Sequence, residues 1–313
     1  MSSRSLFALS IVAALSFGCD KSSSSSAGSA ADAELMKSLP GSSNVVFGGD
    51  FMRVQKLVVD TAMSKVADGS GGGMKGYVEC FSKVSNLHVA GGVSFAKGKP
   101  DLRVVMSGID IPTISKCATD AGFKVTTDPD GKFVAIEIAG PAGTMAQSYL
   151  ALASGTLYSQ QQLGMRHGAA MTRAELEAEA ASASKASAAD DPKLQAMVGK
   201  ADRSKMLWFA GNMAGTQLGD KVGEIVGSLD VSPDVALSLD VQITDPGLVT
   251  TIDGGVTQAR QFAGQLPGDL KAVVEGLDYK KDGDRLHFGL KATVEQIKGV
   301  LKTAGGMLGG LGR

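Results

Sequence analysis

The sequence predicts an α+β protein made of two tandem β-α-β-β-α-β-β units, antiparallel sheets with helices packed on one face. Three observations predict it. Runs rich in β-branched and aromatic residues alternate with segments whose apolar residues recur at helical spacing. Two Asp-Gly turns, Asp130-Gly131 and Asp282-Gly283, fall at matching places, each with a helical pattern before and after it. The second half then repeats the order of the first, as an internal duplication would.

The first unit spans 39–163. Asn44 to Phe51 suits a strand, and Val54, Leu57, Val58, Thr61, Ala62 and Val66 mark an amphipathic helix that ends in the glycines after 69. Leu87 to Phe95 and Leu102 to Ile109 form a hairpin joined through Lys97 to Pro100. Pro112 opens a helix that Gly122 ends, since proline is tolerated in a first turn and glycine adopts the left-handed conformation of a helix stop. Phe123 to Thr127 and Lys132 to Ala139 pair about Asp128 to Gly131. A helix over Thr144 to Ala153 and a short strand at Thr156 to Ser159 complete the unit.

The second unit, 194–313, starts with a strand at Met206 to Asn212, followed by a helix over Thr216 to Ser228. Val235 to Ile243 and Leu248 to Ile252 pair around Asp245-Pro246-Gly247. A helix from Val256 to Leu266, extended or followed by another through Glu275, precedes the hairpin Leu277 to Leu290, and the last helix runs from Val294 toward Ala304. Residues 164–193 are a low-complexity insertion. There Met171 to Ala180 reads as a solvated helix and Ala181 to Asp191 as a mobile Ala/Ser stretch.

The chain opens with a leader. Arg4 supplies a positive end, and Leu6 to Phe17 has the length of a signal-peptide core and not of a spanning helix, which assigns 1–18 to a signal peptide. Leu15 to Cys19 resembles a bacterial lipobox, which makes Cys19 the expected site of lipidation. Ser16 stands where that pattern has an aliphatic residue. Residues 19–38 then read as the lipidated cysteine and a Ser/Ala-rich leash too poor in apolar side chains to order itself. The expected location is exported and anchored to a bacterial membrane, facing the periplasm or the exterior, with that membrane as a partner.

Lys and Arg number 31 against 32 Asp and Glu, and aromatics make up 5% of the chain. No broad positive field and no basic stretch with stacking rings is present, so nucleic acid is not an expected partner. Cys80 and Cys117 are the cysteines left after Cys19. In an oxidising compartment they are most simply one disulfide, worth about 3–4 kcal/mol for a loop of this length; the competing reading is two buried thiols.

With Leu39-Pro40 leading into the first strand, and Asp190 to Val198 standing before Leu207-Trp208-Phe209-Ala210, the order of elements resembles a loose group of uncharacterised, internally duplicated α+β lipoproteins of Gram-negative bacteria. The resemblance covers most of 39–313. It implies the fold, an envelope location and a paired cysteine in the first copy, and it implies no activity.

The chemical motifs reduce to structure. Gly71, Gly73 and Gly76 match a dinucleotide-loop spacing, but they follow a helix where that loop must follow a strand. Thr126, Asp128, Asp130, Gly131 and Glu137 fall at calcium-loop spacing, and the hairpin turn accounts for them better. Ser182 and Lys185 spell a nucleophile motif inside the Ala/Ser stretch, which offers no fixed geometry. His88, His167 and His287 share no ligand spacing. Trp208 reads as a core residue, and Val294, Ile297, Val300, Leu301, Ala304 and Leu308 as a helix stripe packed on the second sheet. The expectation is a non-enzymatic binding or scaffold module of the envelope, without a cofactor, that receives an envelope protein or an apolar ligand. The alternative is a carrier holding a lipid between helices and sheet, and an enzyme stands third.

Overall fold

A computed structural model describes residues 27–50, 73–95, 101–162 and 170–299, apart from 82, 85–86, 141–142, 217–218, 232–233, 267 and 298. The chain is α+β, with a large antiparallel sheet and several helices. The strands are β1 (Val45–Gly49), β2 (His88–Ser94), β3 (Asp101–Ser107), β4 (Lys124–Thr127), β5 (Phe133–Gly140), β6 (Gly143–Ala151), β7 (Leu157–Gln162), β8 (Leu207–Asn212), β9 (Val222–Val231), β10 (Val235–Ile243), β11 (Leu277–Asp282) and β12 (Arg285–Ala292). The helices are α1 (Ala27–Met36), α2 (Gly73–Phe81), α3 (Ile111–Asp120), α4 (Arg173–Lys185), α5 (Pro192–Val198), α6 (Pro246–Gln261) and α7 (Gly268–Glu275).

All twelve strands join one sheet in the order β11-β12-β10-β9-β8-β1-β2-β3-β7-β6-β5-β4. The seam between the halves is the pair β1 and β8, where Val45 lies opposite Gly211, Phe47 opposite Phe209 and Gly49 opposite Leu207. Helices cover both faces, not one. On the first face α1, α4 and α5 bury Val46, Ala90, Val105, Leu150, Tyr158, Trp208 and Val226 beneath Leu35, Met36, Leu176, Leu194 and Met197. On the second, α2 and α3 cover Val89, Met106, Ile136, Tyr149 and Leu157. Farther along that face, α6 covers Ile243 and Leu286 through Val249, while Val294 and Ile297 pack against Leu207, Leu229 and Val235.

Local chemistry explains the ends of the helices. Asp110 accepts from the Thr113 backbone and Pro112 occupies the first turn of α3. Thr172 and Glu175 close a reciprocal capping box on α4, and Asp191 with Pro192 starts α5. The Asp128–Gly131 turn is a hairpin turn with Gly131 at φ 66°. Its two carboxylates hold Arg173 of α4, at 3.1 Å from Asp128 and 2.8 Å from Asp130.

Three elements differ from the sequence expectation. Residues 144–153, expected as a helix, lie largely in β6, and 216–228, also expected as a helix, contribute to β9. Both strands are paired on both edges, and ladder hydrogen bonds outweigh weak local propensity. Leu248 to Ile252, expected as a strand, belong to α6: the Asp245 side chain accepts from the backbones of Gly247 and Leu248, so Asp-Pro-Gly is a helix cap and not a hairpin turn. The insertion is also ordered. Helix α4 reaches Lys185, and beyond it Gly41 donates to Ala186 and Ala188 to Leu39, stitching 186–188 to the entry of β1. The helix expected over Val54 to Val66 lies outside the described residues.

Candidate functional site

Two arrangements on this sheet go beyond ordinary packing. The first is a strip on the second face, between the two groups of helices. Strict pairing sets its side chains in two adjacent rows. One runs Leu102, Val93, Val45, Gly211, Ile225, Val241; the other runs Val104, Gly91, Phe47, Phe209, Gly227, Leu239. Six strands at the usual spacing make the strip about 24 Å wide. Val45, Val93, Leu102, Phe209, Ile225 and Leu239 are half-buried and, among the described residues, join none of the packed cores. The two phenylalanine rings lean over glycines: a Cβ at Gly91 would collide with the Phe47 ring, and one at Gly227 with the Phe209 ring. The surface is apolar and lies across strands held rigidly from both ends.

The second arrangement is on the other face, under α1. Asp32 is 1% exposed, and Trp208, at 0%, donates its Nε1–H to Asp32 Oδ2 at 2.6 Å. Asp32 Oδ1 has no partner among the described residues. Burial pushes this carboxyl above its ordinary range; the Trp208 hydrogen bond and the nearby His88 and Arg203 act against that rise.

A charged cleft of about 390 Å³ opens on the first face at Lys200, Val226, Asp240 and Arg285. Its charges are satisfied among themselves. Glu224 takes Arg285 at 2.8 Å and Lys200 at 2.9 Å, which hold its carboxyl below the usual range, and His287 pairs with Asp240 at 2.9 Å.

Of the residues singled out in the sequence, Cys80 and Cys117 are disulfide-bonded, tying α2 to α3 with Cα atoms 5.5 Å apart. Cys19, His167, Gly71 and the tail beyond Gly299 lie outside the described residues. Ser182 and Lys185 are exposed on α4, in a helix and not a mobile stretch. Trp208 is core. Among the described residues no group of three or more His, Cys, Asp and Glu is placed to hold a metal ion, and no helix is long and apolar enough to cross a membrane.

Asp32 escaped the sequence reading because the Ser/Ala-rich leash was drawn through it. Its own signal was present: Asp32, Leu35, Met36 and Leu39 fall at i, i+3, i+4 and i+7, one face of a helix.

No protein-family model matches the sequence, and no curated protein sequence matches it. Among solved structures the chain is similar to TP0453 in crystal form III, with a TM-score of 0.51 and 11% identity over 86% of this chain and 97% of that one. Crystal form I of the same protein gives a TM-score of 0.46 and 10% identity over 86% and 96%. At such identity the likeness to crystal form III is one of fold.

Proposed function

We propose that this chain is a lipid-anchored protein of the cell envelope, exported by its leader, held to the membrane through Cys19, and acting without catalysis by binding an apolar ligand in the open strip of the sheet. The observation that carries the reading is the pair of aliphatic and aromatic rows left half-buried between two helix groups. Such a surface loses free energy when a ligand takes it out of water. Its width is comparable to an extended acyl chain, and it offers no charge along either row.

The same strip supports an internal duplication. Phe47 on β1 faces Gly91 on β2, and Phe209 on β8 faces Gly227 on β9; across the seam Val45 meets Gly211 as Leu207 meets Gly49. These pairs exchange under a two-fold axis between the phenylalanines. The correspondence is closest for β1-β2-β3 and β8-β9-β10. Outside them the halves diverge, because β12 pairs with β10 whereas β6 and β7 separate the β4-β5 hairpin from β3.

Native mass spectrometry of the protein extracted from its envelope tests the ligand. Co-purified lipid is the expected result, and Ile225→Asp is expected to weaken recovery of a fatty-acid probe about tenfold or more, since a buried Ile side chain contributes about 1.5–3 kcal/mol. A co-purified protein with no lipid, or unchanged probe binding by the variant, would turn the reading toward a scaffold. For the anchor, metabolic labelling with a fatty-acid probe is expected to mark the wild type and leave Cys19→Ser unmarked. Equal labelling of the two removes the anchor.

A further inference from the structure

Asp32 is an ionisable group in a seat built for a core residue. Leu35 and Met36, one turn along α1, are 2% and 1% exposed, so the helix face that carries Asp32 lies flat on the sheet. Among the described residues the carboxyl has one donor, the Trp208 indole, and its other oxygen has none. A neutral carboxyl tolerates that seat better than a carboxylate, which needs several donors to replace its lost water. The basic groups that face it are His88 at the start of β2 and Arg203 in the loop before β8. On β3, Asp101 and Arg103 are engaged elsewhere, with Arg103 3.2 Å from Glu179 of α4.

We infer that α1 is a proton-keyed clasp: it is docked tightly while Asp32 holds a proton and loosens when Asp32 gives that proton up. The sign follows from burial. The docked helix binds the proton more tightly than a free helix, so docking is strongest in acid and weakens as pH rises above the ordinary carboxylate range. The consequence, which rests on the anchor proposed at Cys19, concerns reach. With α1 docked, the chain from Cys19 to Ala27 spans at most about 28 Å, and releasing α1 through Met36 extends this to about 60 Å at full extension. The folded body would then stand close to the bilayer in acid and farther from it at neutral pH.

Hydrogen exchange followed by mass spectrometry on the full chain in detergent tests the clasp, in the wild type, Asp32→Asn, His88→Gln and Trp208→Phe. After correction for intrinsic exchange, peptides of α1 are expected to be several-fold better protected at about pH 4.5 than at about pH 7.5, while β5 and β6 stay level. Asp32→Asn should remove the difference and His88→Gln should keep it. Trp208→Phe takes away the single donor to the carboxylate and should move the transition to higher pH. A pH-independent α1 in the wild type overturns the inference, as does a response that survives in Asp32→Asn or vanishes in His88→Gln. Repeating the measurement with Cys19→Ser separates the two ideas, because the clasp is expected to persist there even if labelling refutes the anchor.

Discussion

Replacing Trp208 with alanine is expected to lower the free energy of unfolding by about 3–5 kcal/mol, the range for deleting a large aromatic from a core. The side chain is fully buried on one of the two strands that form the seam of the sheet. Opposite it, Gly48 leaves room for the indole: a Cβ there would come within 2.7 Å of the ring. The substitution therefore opens a cavity at the junction of the two halves and also strips the Asp32 carboxyl of its hydrogen bond, leaving a buried polar group with no partner. Because Trp208 is the lone tryptophan, denaturation is followed by circular dichroism and not by emission. A loss below about 1 kcal/mol would mean that the indole is not packed as described.

Removing the Cys80–Cys117 bond is expected to cost about 3–4 kcal/mol in the chain-entropy account, given a separation of 37 residues. The damage should begin at α2. That helix is short; it is tied to α3 by the disulfide, and Tyr77 packs its ring on Phe81 of the same helix at 4.8 Å and on Phe123, just beyond α3, at 5.4 Å between centroids. Cys117, by contrast, sits at 1% exposure among Ile111, Ile114 and Ala118, so α3 is expected to keep its packing when the bond is gone. In the Cys80→Ala, Cys117→Ala double variant, exchange protection should fall first in 73–81 and only later in α3, with a lowered thermal midpoint. Equal loosening of the two helices would show that the bond supports the whole second-face core and not α2 in particular.

Much of the element order was legible because local chemistry and tertiary placement agree there. Pro112 and the stop at Gly122 define α3 from sequence alone, and the structure adds Asp110 as its N-cap. The Asp-Gly turns at 130–131 and 282–283 define two hairpins, whose strands carry β-branched and aromatic residues in ordinary alternation. Strands β6 and β9 were not legible for a common reason. Each runs inside the sheet with helices or paired strands beside it, so apolar side chains occupy both faces and the period of two is blurred. Tyr149 goes to one core and Leu150 to the other, a pattern that on paper resembles a helix stripe.

The candidate site divides in the same way. Most residues of the apolar strip fall in segments expected as strands, Ile225 and Gly227 in one expected as a helix, and nothing in their spacing says that Val45, Val93 and Leu102 stand in one row with Ile225, since register between strands far apart in sequence is not encoded locally. Asp32 carried a helical spacing signal that its Ser/Ala-rich surroundings masked.

From the sequence by itself came the α+β class, the leader and its cysteine as expectations, the two cysteines to be paired by elimination, and the ends of α3 with the two Asp-Gly turns, which depend on contacts among near neighbours. The tertiary structure decided that one sheet runs through both halves, that helices lie on both of its faces, that a buried carboxyl meets the lone tryptophan, and that an apolar strip remains between helix groups. Those outcomes depend on which strands find each other across more than a hundred residues, and only the joint burial of all their side chains selects that pairing.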